Sequence, residues 1–292
     1  MKNNQLINKK VLDEIKNICL DEEYEIRIEV GGIILSIKTN DYELNELMKR
    51  KFYAFLSSDS PQLVVEIQVK EKIQTGSEGS KCVVDEWRVL FSKGYSYAGI
   101  ADFKQKKGQV IIIPSEKNNT ESIIRRFLSY FLIEFNGFFL HAASVVVDSN
   151  RGFIFCGKCG CGKTTIANLS DKYTVLNDDM SLIRKINNQY KVYSTPFYGN
   201  RINSYVWARI ESLLFPKKDK EVYIKKYSIY SSLKEIIPNI FLLFGVLHHF
   251  QREKVFNLCS EIIEKVPCYE LHFLKDGTFW THILSVQGER RK

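Results

Sequence analysis

Residues Phe153 to Thr165 read FIFCGKCGCGKTT, with three cysteines and three glycines between Cys156 and Gly162. Such a stretch can bind a metal through thiolates, cycle between thiol states, or cradle a phosphate. A zinc knuckle needs four ligands, and Cys156, Cys159 and Cys161 have no downstream Cys or His pair at zinc-finger spacing. A thiol beside a lysine and a helix start is easier to oxidise, so redox control is a hypothesis here, with bystander cysteines as its alternative. Gly157 to Thr164 fit G-x-x-x-x-G-K-[ST] at every defined position. Glycines let successive N–H groups turn toward one anion, and the helix expected from Thr164 adds the positive end of its dipole. Lys163 is a cation for the outer phosphates, and the Thr164 hydroxyl is a ligand for the accompanying Mg²⁺. An apolar strand before the loop and a helix-forming ANL after it separate this pattern from a chance run of glycines.

Chemistry at a bound phosphate also needs carboxylates. YTVLN reads as a short strand that delivers Asp178 and Asp179 at its carboxyl end, where ligands collect in open α/β sheets. One aspartate can hold Mg²⁺ and the other can take a proton from an attacking hydroxyl. The structural alternative is an Asp-Asp turn into the hairpin SLIRKI-NNQ-YKVYS. His141 lies in the strand before the loop, FFLHAASVVV, where a histidine is either a satisfied core residue or part of the site.

These residues need a scaffold. The chain has 292 residues, 45 % hydrophobic and 26 % charged, the composition of a folded globular protein rather than a disordered one. Lysine and arginine exceed aspartate and glutamate by 42 to 34, a net charge of +8. That excess suits a polyanionic ligand such as a nucleotide. No basic stripe interleaved with aromatics points to nucleic acid. MKNNQLINKK lacks a signal-peptide core and the apolar runs are too short to span a bilayer, so a cytoplasmic protein with seven reduced cysteines and no membrane partner is expected.

Residues 1–118 read as a strand-rich α/β region. YEIRIEV and IILSIKT flank Gly31-Gly32 as a hairpin, a helix is expected over Asn45–Leu56, and KIQTGSEGSK reads as a mobile loop. This region is either a scaffold or a recognition module for a substrate chain. From Glu121, apolar residues at Ile123, Ile124, Phe127, Leu128, Phe131, Leu132 and Phe135 keep a helical period. Residues 119–292 then carry the candidate site. His248-His249 read as surface or cap residues, and Pro216–Lys226 as a solvated basic loop.

The order LHAASVVV, FIFCGKCGCGKTT, LNDDM, STPFYG resembles the HPr kinase/phosphorylase family. More closely it resembles the HPr-kinase-like enzymes of peptide-modification clusters, including lasso-peptide kinases. The likeness runs from about Glu121 to the C-terminus, through VPCYELHF and FWTHI. It implies the P-loop fold shared with phosphoenolpyruvate carboxykinase, joined here to an N-terminal strand-rich α/β domain. It implies ATP and Mg²⁺, with Gly157, Lys158, Cys159, Gly160, Cys161, Gly162, Lys163, Thr164 and Thr165 around the nucleotide. By the same likeness His141 sits near the transferred phosphate, Asp178 matches the base, and Asp179, with Thr164, the metal-linked position; the two aspartates are interchangeable in this assignment. Pro196–Gly199 and Arg201 fall where the resemblance implies an acceptor or phosphate-facing wall. Family loops usually carry Ser or Thr at the position of Cys159, and the signature of the bifunctional enzyme is not matched after Asp178-Asp179. Phosphorylase activity and HPr as substrate are therefore not expected. The implied acceptor is a serine hydroxyl in a ribosomally made peptide or a protein; a small metabolite such as free serine, and a non-catalytic nucleotide-binding regulator, are the alternatives. Whether the chain forms a homo-oligomer is left open.

Overall fold

The computed structural model describes residues 9–18, 20, 23–73, 80–84, 87–148, 150–197, 206–241 and 249–289. The described residues form two compact units that part between Leu132 and Ile133. This division lies later than residue 118, so the helix that follows Asn119 belongs to the first unit.

The first unit runs α1 (Lys9–Lys16), β1 (Tyr24–Val30), β2 (Ile33–Thr39), α2 (Tyr42–Lys51), β3 (Leu63–Val69), β4 (Ser80–Val84), β5 (Arg88–Lys93), β6 (Tyr97–Asp102), β7 (Lys107–Ile112) and α3 (Thr120–Phe131). Its sheet has the order β1-β2-β3-β7-β6-β5-β4. Gly31 and Gly32 both take positive φ, 63° and 77°, as a two-residue hairpin turn demands. α2 begins earlier than Asn45 because Asp41 caps it, accepting the Leu44 N–H at 2.7 Å. It ends at Lys51 and passes into a 3₁₀ turn over Tyr53–Phe55. α3 can lie against the sheet because residue 108 is glycine: a Cβ there would stand 2.2 Å from the Phe127 ring. Of the expected loop KIQTGSEGSK, residues 74–79 lie outside the described residues.

The second unit runs β8 (Gly137–Val147), β9 (Arg151–Cys156), α4 (Lys163–Asn168), β10 (Thr174–Asn177), β11 (Met180–Ile186), β12 (Gln189–Tyr193), β13 (Trp207–Lys218), β14 (Tyr223–Lys226), α5 (Ile229–Ile236), α6 (His249–Lys265, the part from Glu253 onward), β15 (Cys268–Phe273) and α7 (Phe279–Glu289). β9, β13 and β15 are parallel neighbours. β8 pairs antiparallel with β9, β10 and β11, and β12 joins β11 to the start of β13. The core on one face gathers Ala143, Val145, Val147, Phe153, Phe155, Ile166, Phe273, Phe279 and Trp280.

Two expectations are corrected. Pro216–Lys226 is not a solvated loop: its first residues complete β13, and Tyr223–Lys226 form an edge strand on β15, fixed by Tyr223 stacking on His272 at 4.0 Å between centroids. The helix after the loop begins at Lys163 and has only six residues, so its dipole is weaker than the motif alone implies. His248 lies outside the described residues, and His249 opens α6. Among the described residues no helix is long and apolar enough to cross a membrane.

Candidate phosphate-binding site

The loop leaves the buried end of β9 at Cys156 and Gly157. Cys161 N–H donates to the Lys158 carbonyl at 3.2 Å, and Ile166 N–H closes on the Gly162 carbonyl at 2.9 Å as the first helical bond. The amides of Lys163, Thr164 and Thr165 precede that bond and so lack intrahelical acceptors. Gly160 and Gly162 hold φ of 81° and 112°. At Gly162 the constraint is double, because a Cβ would also stand 2.5 Å from the Phe273 ring. At Gly157 a Cβ would meet the Cys161 sulfur at 3.1 Å, so Cys161 packs across the neck of the loop. Lys158, Cys159, Gly160 and Thr164 are exposed, and Cys161, Gly162, Lys163 and Thr165 are half-buried. The Lys163 ammonium donates to the Gly157 carbonyl at 2.7 Å and the Lys158 carbonyl at 3.3 Å, which holds it over the loop.

The loop is anchored from behind. Ile166 and Ala167 of α4 enter the core. Ser170 donates its hydroxyl to the Ile166 carbonyl at 2.6 Å and accepts the Trp280 indole N–H at 2.9 Å. The same indole meets Phe153 and Phe155 of β9 edge-on at 5.5 and 5.7 Å. Trp280 thus ties the strand before the loop to the helix after it.

The aspartates follow from register. β9 takes one edge of β8, with Ala142 opposite Cys156. On the other edge Asn177 stands opposite Ser144 and Met180 opposite His141. The same register places Asp178 opposite Ala143 and Asp179 opposite Ala142, and Ala142 N–H indeed donates to the Asp179 carbonyl at 3.0 Å. Asp179, Ala142 and Cys156 are therefore level across three neighbouring chains, about 10 Å from end to end. One residue further along β8, His141 is level with Gly157. By strand alternation His141 falls on the same face of β8 as Ala143, and Asp178 and Asp179 form the bend between β10 and β11. Asp178 is half-buried and Asp179 exposed. The His141 ring meets Phe241 edge-on at 5.9 Å.

Among the described residues no group of three or more His, Cys, Asp and Glu could hold a metal. Thr164 and Asp179 offer oxygen ligands of the type Mg²⁺ takes when phosphates and water complete its shell. Burial pushes the Cys156 thiol far above its ordinary range, which leaves it protonated and inert; of the loop cysteines, Cys159 is the exposed one. Of the expected wall, Pro196 is half-buried and Phe197 fully buried, while residues 198, 199 and 201 lie outside the described residues.

A charged cluster that the sequence did not disclose occupies the carboxyl ends of β13 and β15. His272 Nδ1 lies 2.6 Å from Asp219 Oδ2, and its Nε2 lies 2.5 Å from Glu270 Oε1. Lys217 donates to the other Glu270 oxygen at 2.5 Å. The Lys220 amide, then His272, holds the Asp219 carboxyl below its usual range. Burial pushes Glu270 up, but hydrogen bonds from Lys217 and His272 outweigh it and bring the carboxyl below its usual range. The cluster joins residues 53 apart in the chain and is visible only once the parallel register is known.

No family model matches this sequence, and no curated protein matches it. Among solved structures the chain is similar to the Hpr(Ser) kinase/phosphatase from Coxiella burnetii, at a TM-score of 0.32 and 11 % identity over 53 % of this chain and 99 % of that one.

Proposed function

We propose that this protein is an ATP-dependent kinase that transfers the γ-phosphoryl group to a serine hydroxyl of a ribosomally made, lasso-type peptide or a protein. The observation that carries the reading is the shared rim. A loop with the phosphate-binding pattern leaves β9 one residue past Cys156, and Asp178-Asp179 stand in register with that point on the far edge of β8.

The roles are those the motif resemblance implies, and the placement supports them. Residues Gly157 to Thr165 enclose the phosphates, with amides of the first helical turn directed at them and Lys163 exchanging its loop carbonyls for phosphate oxygens. Thr164 and Asp179 would hold Mg²⁺, which supplies charge neutralisation at the phosphates. Asp178 accepts the proton of the attacking serine hydroxyl as the new P–O bond forms and the bond to the leaving diphosphate breaks. His141, level with the loop entry, stabilises the group in transfer. The peptide preference comes from the motif resemblance and from the separate strand-rich unit, which offers more surface than a metabolite requires.

The test is a titration with Mg-ATP, followed by mass spectrometry of candidate acceptor peptides that carry a serine. Saturable binding and a single added phosphate support the reading. Transfer to free serine instead assigns a metabolite kinase. Binding without ATP consumption assigns a regulator, and absence of binding removes the phosphate-cradle reading altogether.

A further inference from the structure

Asn177 has only 2 % of its surface exposed, and its carboxamide is fully engaged. Its Nδ2 donates to the Ser144 hydroxyl at 3.1 Å and to the Tyr193 carbonyl at 2.9 Å. Its Oδ1 accepts the Thr195 amide at 3.3 Å and the Thr195 hydroxyl at 3.2 Å. Two donors and two acceptor sites are all that an asparagine side chain has. The four bonds reach β8, the end of β12 and the segment that follows it. Asn177 also stands directly after the register irregularity of β10 and directly before Asp178. On the other side of the aspartates, the Asp179 carbonyl accepts from Ala142, and the Ser181 hydroxyl donates to the Ala142 carbonyl at 2.9 Å.

We propose that Asn177 is a positioning residue that sets the Asp178-Asp179 corner and the Thr195–Phe197 segment as one unit on β8, an inference that rests on the kinase reading of the same site. The chain between these segments is long enough to let them move apart: β11 and β12 intervene, and Thr195 is eighteen residues from Asn177. The carboxamide bypasses that hairpin. Phe197 then seats the segment in the core, edge-on to Phe139 at 5.9 Å. A plain core polar residue needs its bonds only for stability. A positioning residue must in addition change the reaction when the fold survives.

The experiment compares the full chain with Asn177→Ala, Thr195→Val and Thr195→Ser. Thermal melting and Mg-ATP affinity are measured beside turnover and peptide-resolved hydrogen exchange. A misplacement of about 1 Å costs on the order of 100-fold in rate, so Asn177→Ala should lower kcat by about that factor with KM for ATP within about threefold. Thr195→Val, which keeps shape and loses one donor, should fall about tenfold, with Thr195→Ser restoring the rate to within about threefold. Exchange should rise in 178–181 and 195–197 and stay unchanged in β3. A kcat within threefold of wild type in Asn177→Ala overturns the proposal while the kinase reading stands. If Asn177→Ala does not fold, the Thr195 pair decides: equal rates for Val and Ser overturn it. If the wild type transfers no phosphate, the kinase reading fails, and exchange alone decides: unchanged protection at 178–181 in Asn177→Ala or Thr195→Val overturns the proposal.

Discussion

The Trp280 indole N–H donates to the Ser170 hydroxyl at 2.9 Å, and both residues are buried. Ser170 in turn holds the last turn of α4 through the Ile166 carbonyl. Because the indole also packs on Phe153 and Phe155, a change at Trp280 reaches the loop from both ends. Trp280→Phe keeps most of the apolar contact and leaves the serine without its donor. A loss of about 1–3 kcal/mol in urea unfolding is expected, together with weaker Mg-ATP binding. Unchanged nucleotide affinity in a destabilised variant would confine Trp280 to the core.

The two positive-φ glycines of the loop differ in what surrounds them. Gly160 has open space at its Cβ position, and Gly162 has the Phe273 ring. Gly160→Ala should therefore carry only the left-handed penalty of about 1–2 kcal/mol. Gly162→Ala adds a clash that the loop must relieve by moving, and nucleotide binding should be lost. Phe273→Leu in the Gly162→Ala background makes room and should recover part of the affinity, as read by titration calorimetry. No recovery would place the whole defect in the backbone.

The loop was legible in the sequence because its residues are contiguous and each type has a local reason. The Gly31-Gly32 hairpin was legible for the same cause, with both glycines at positive φ. The helix after residue 119 followed from its 3.6-residue period. What escaped depends on register. Asn177 ends a short strand and looks like any polar terminus, and only the fold shows that Thr195 returns to it. The His272 cluster needs β13, β14 and β15 side by side. Tyr223–Lys226 looked solvated because its charges hide an edge strand whose tyrosine stacks on that histidine. Trp280 was visible as part of FWTHI, but its hydrogen bond to Ser170 spans 110 residues.

Lys163 and Asp178 should separate binding from transfer. Lys163 bonds the loop carbonyls of Gly157 and Lys158, so in the proposed reading it serves the loop as well as an incoming phosphate. Lys163→Ala should reduce nucleotide affinity and turnover together. Asp178→Asn removes the proposed proton acceptor without changing shape. It should cut transfer by about 10²–10⁴-fold, the usual contribution of a general base, with affinity within a few-fold. The comparison needs Asp179→Asn beside it, which should instead weaken the Mg²⁺ dependence. Near-normal turnover in Asp178→Asn would remove the assignment of the base.

The pH dependence of stability in the second unit turns on Glu261. Lys185 donates to both its oxygens at 2.6 and 2.7 Å, and Lys265 to one at 2.5 Å. These bonds, Lys185 first, hold the carboxyl at about 2, against an ordinary 4.5. A carboxylate whose folded pKa is depressed binds its proton more readily in the unfolded chain. Its stabilisation is therefore complete above about 4.5 and is lost as pH falls through about 2. Glu261→Gln should lower the melting temperature at pH 7, and the gap from wild type should narrow steadily between pH 4.5 and 2. Because β11 and α6 meet through this glutamate, hydrogen exchange should show the loss first in Met180–Ile186. A constant gap across that pH range would mean that the two lysines contribute to the fold without the carboxylate's charge.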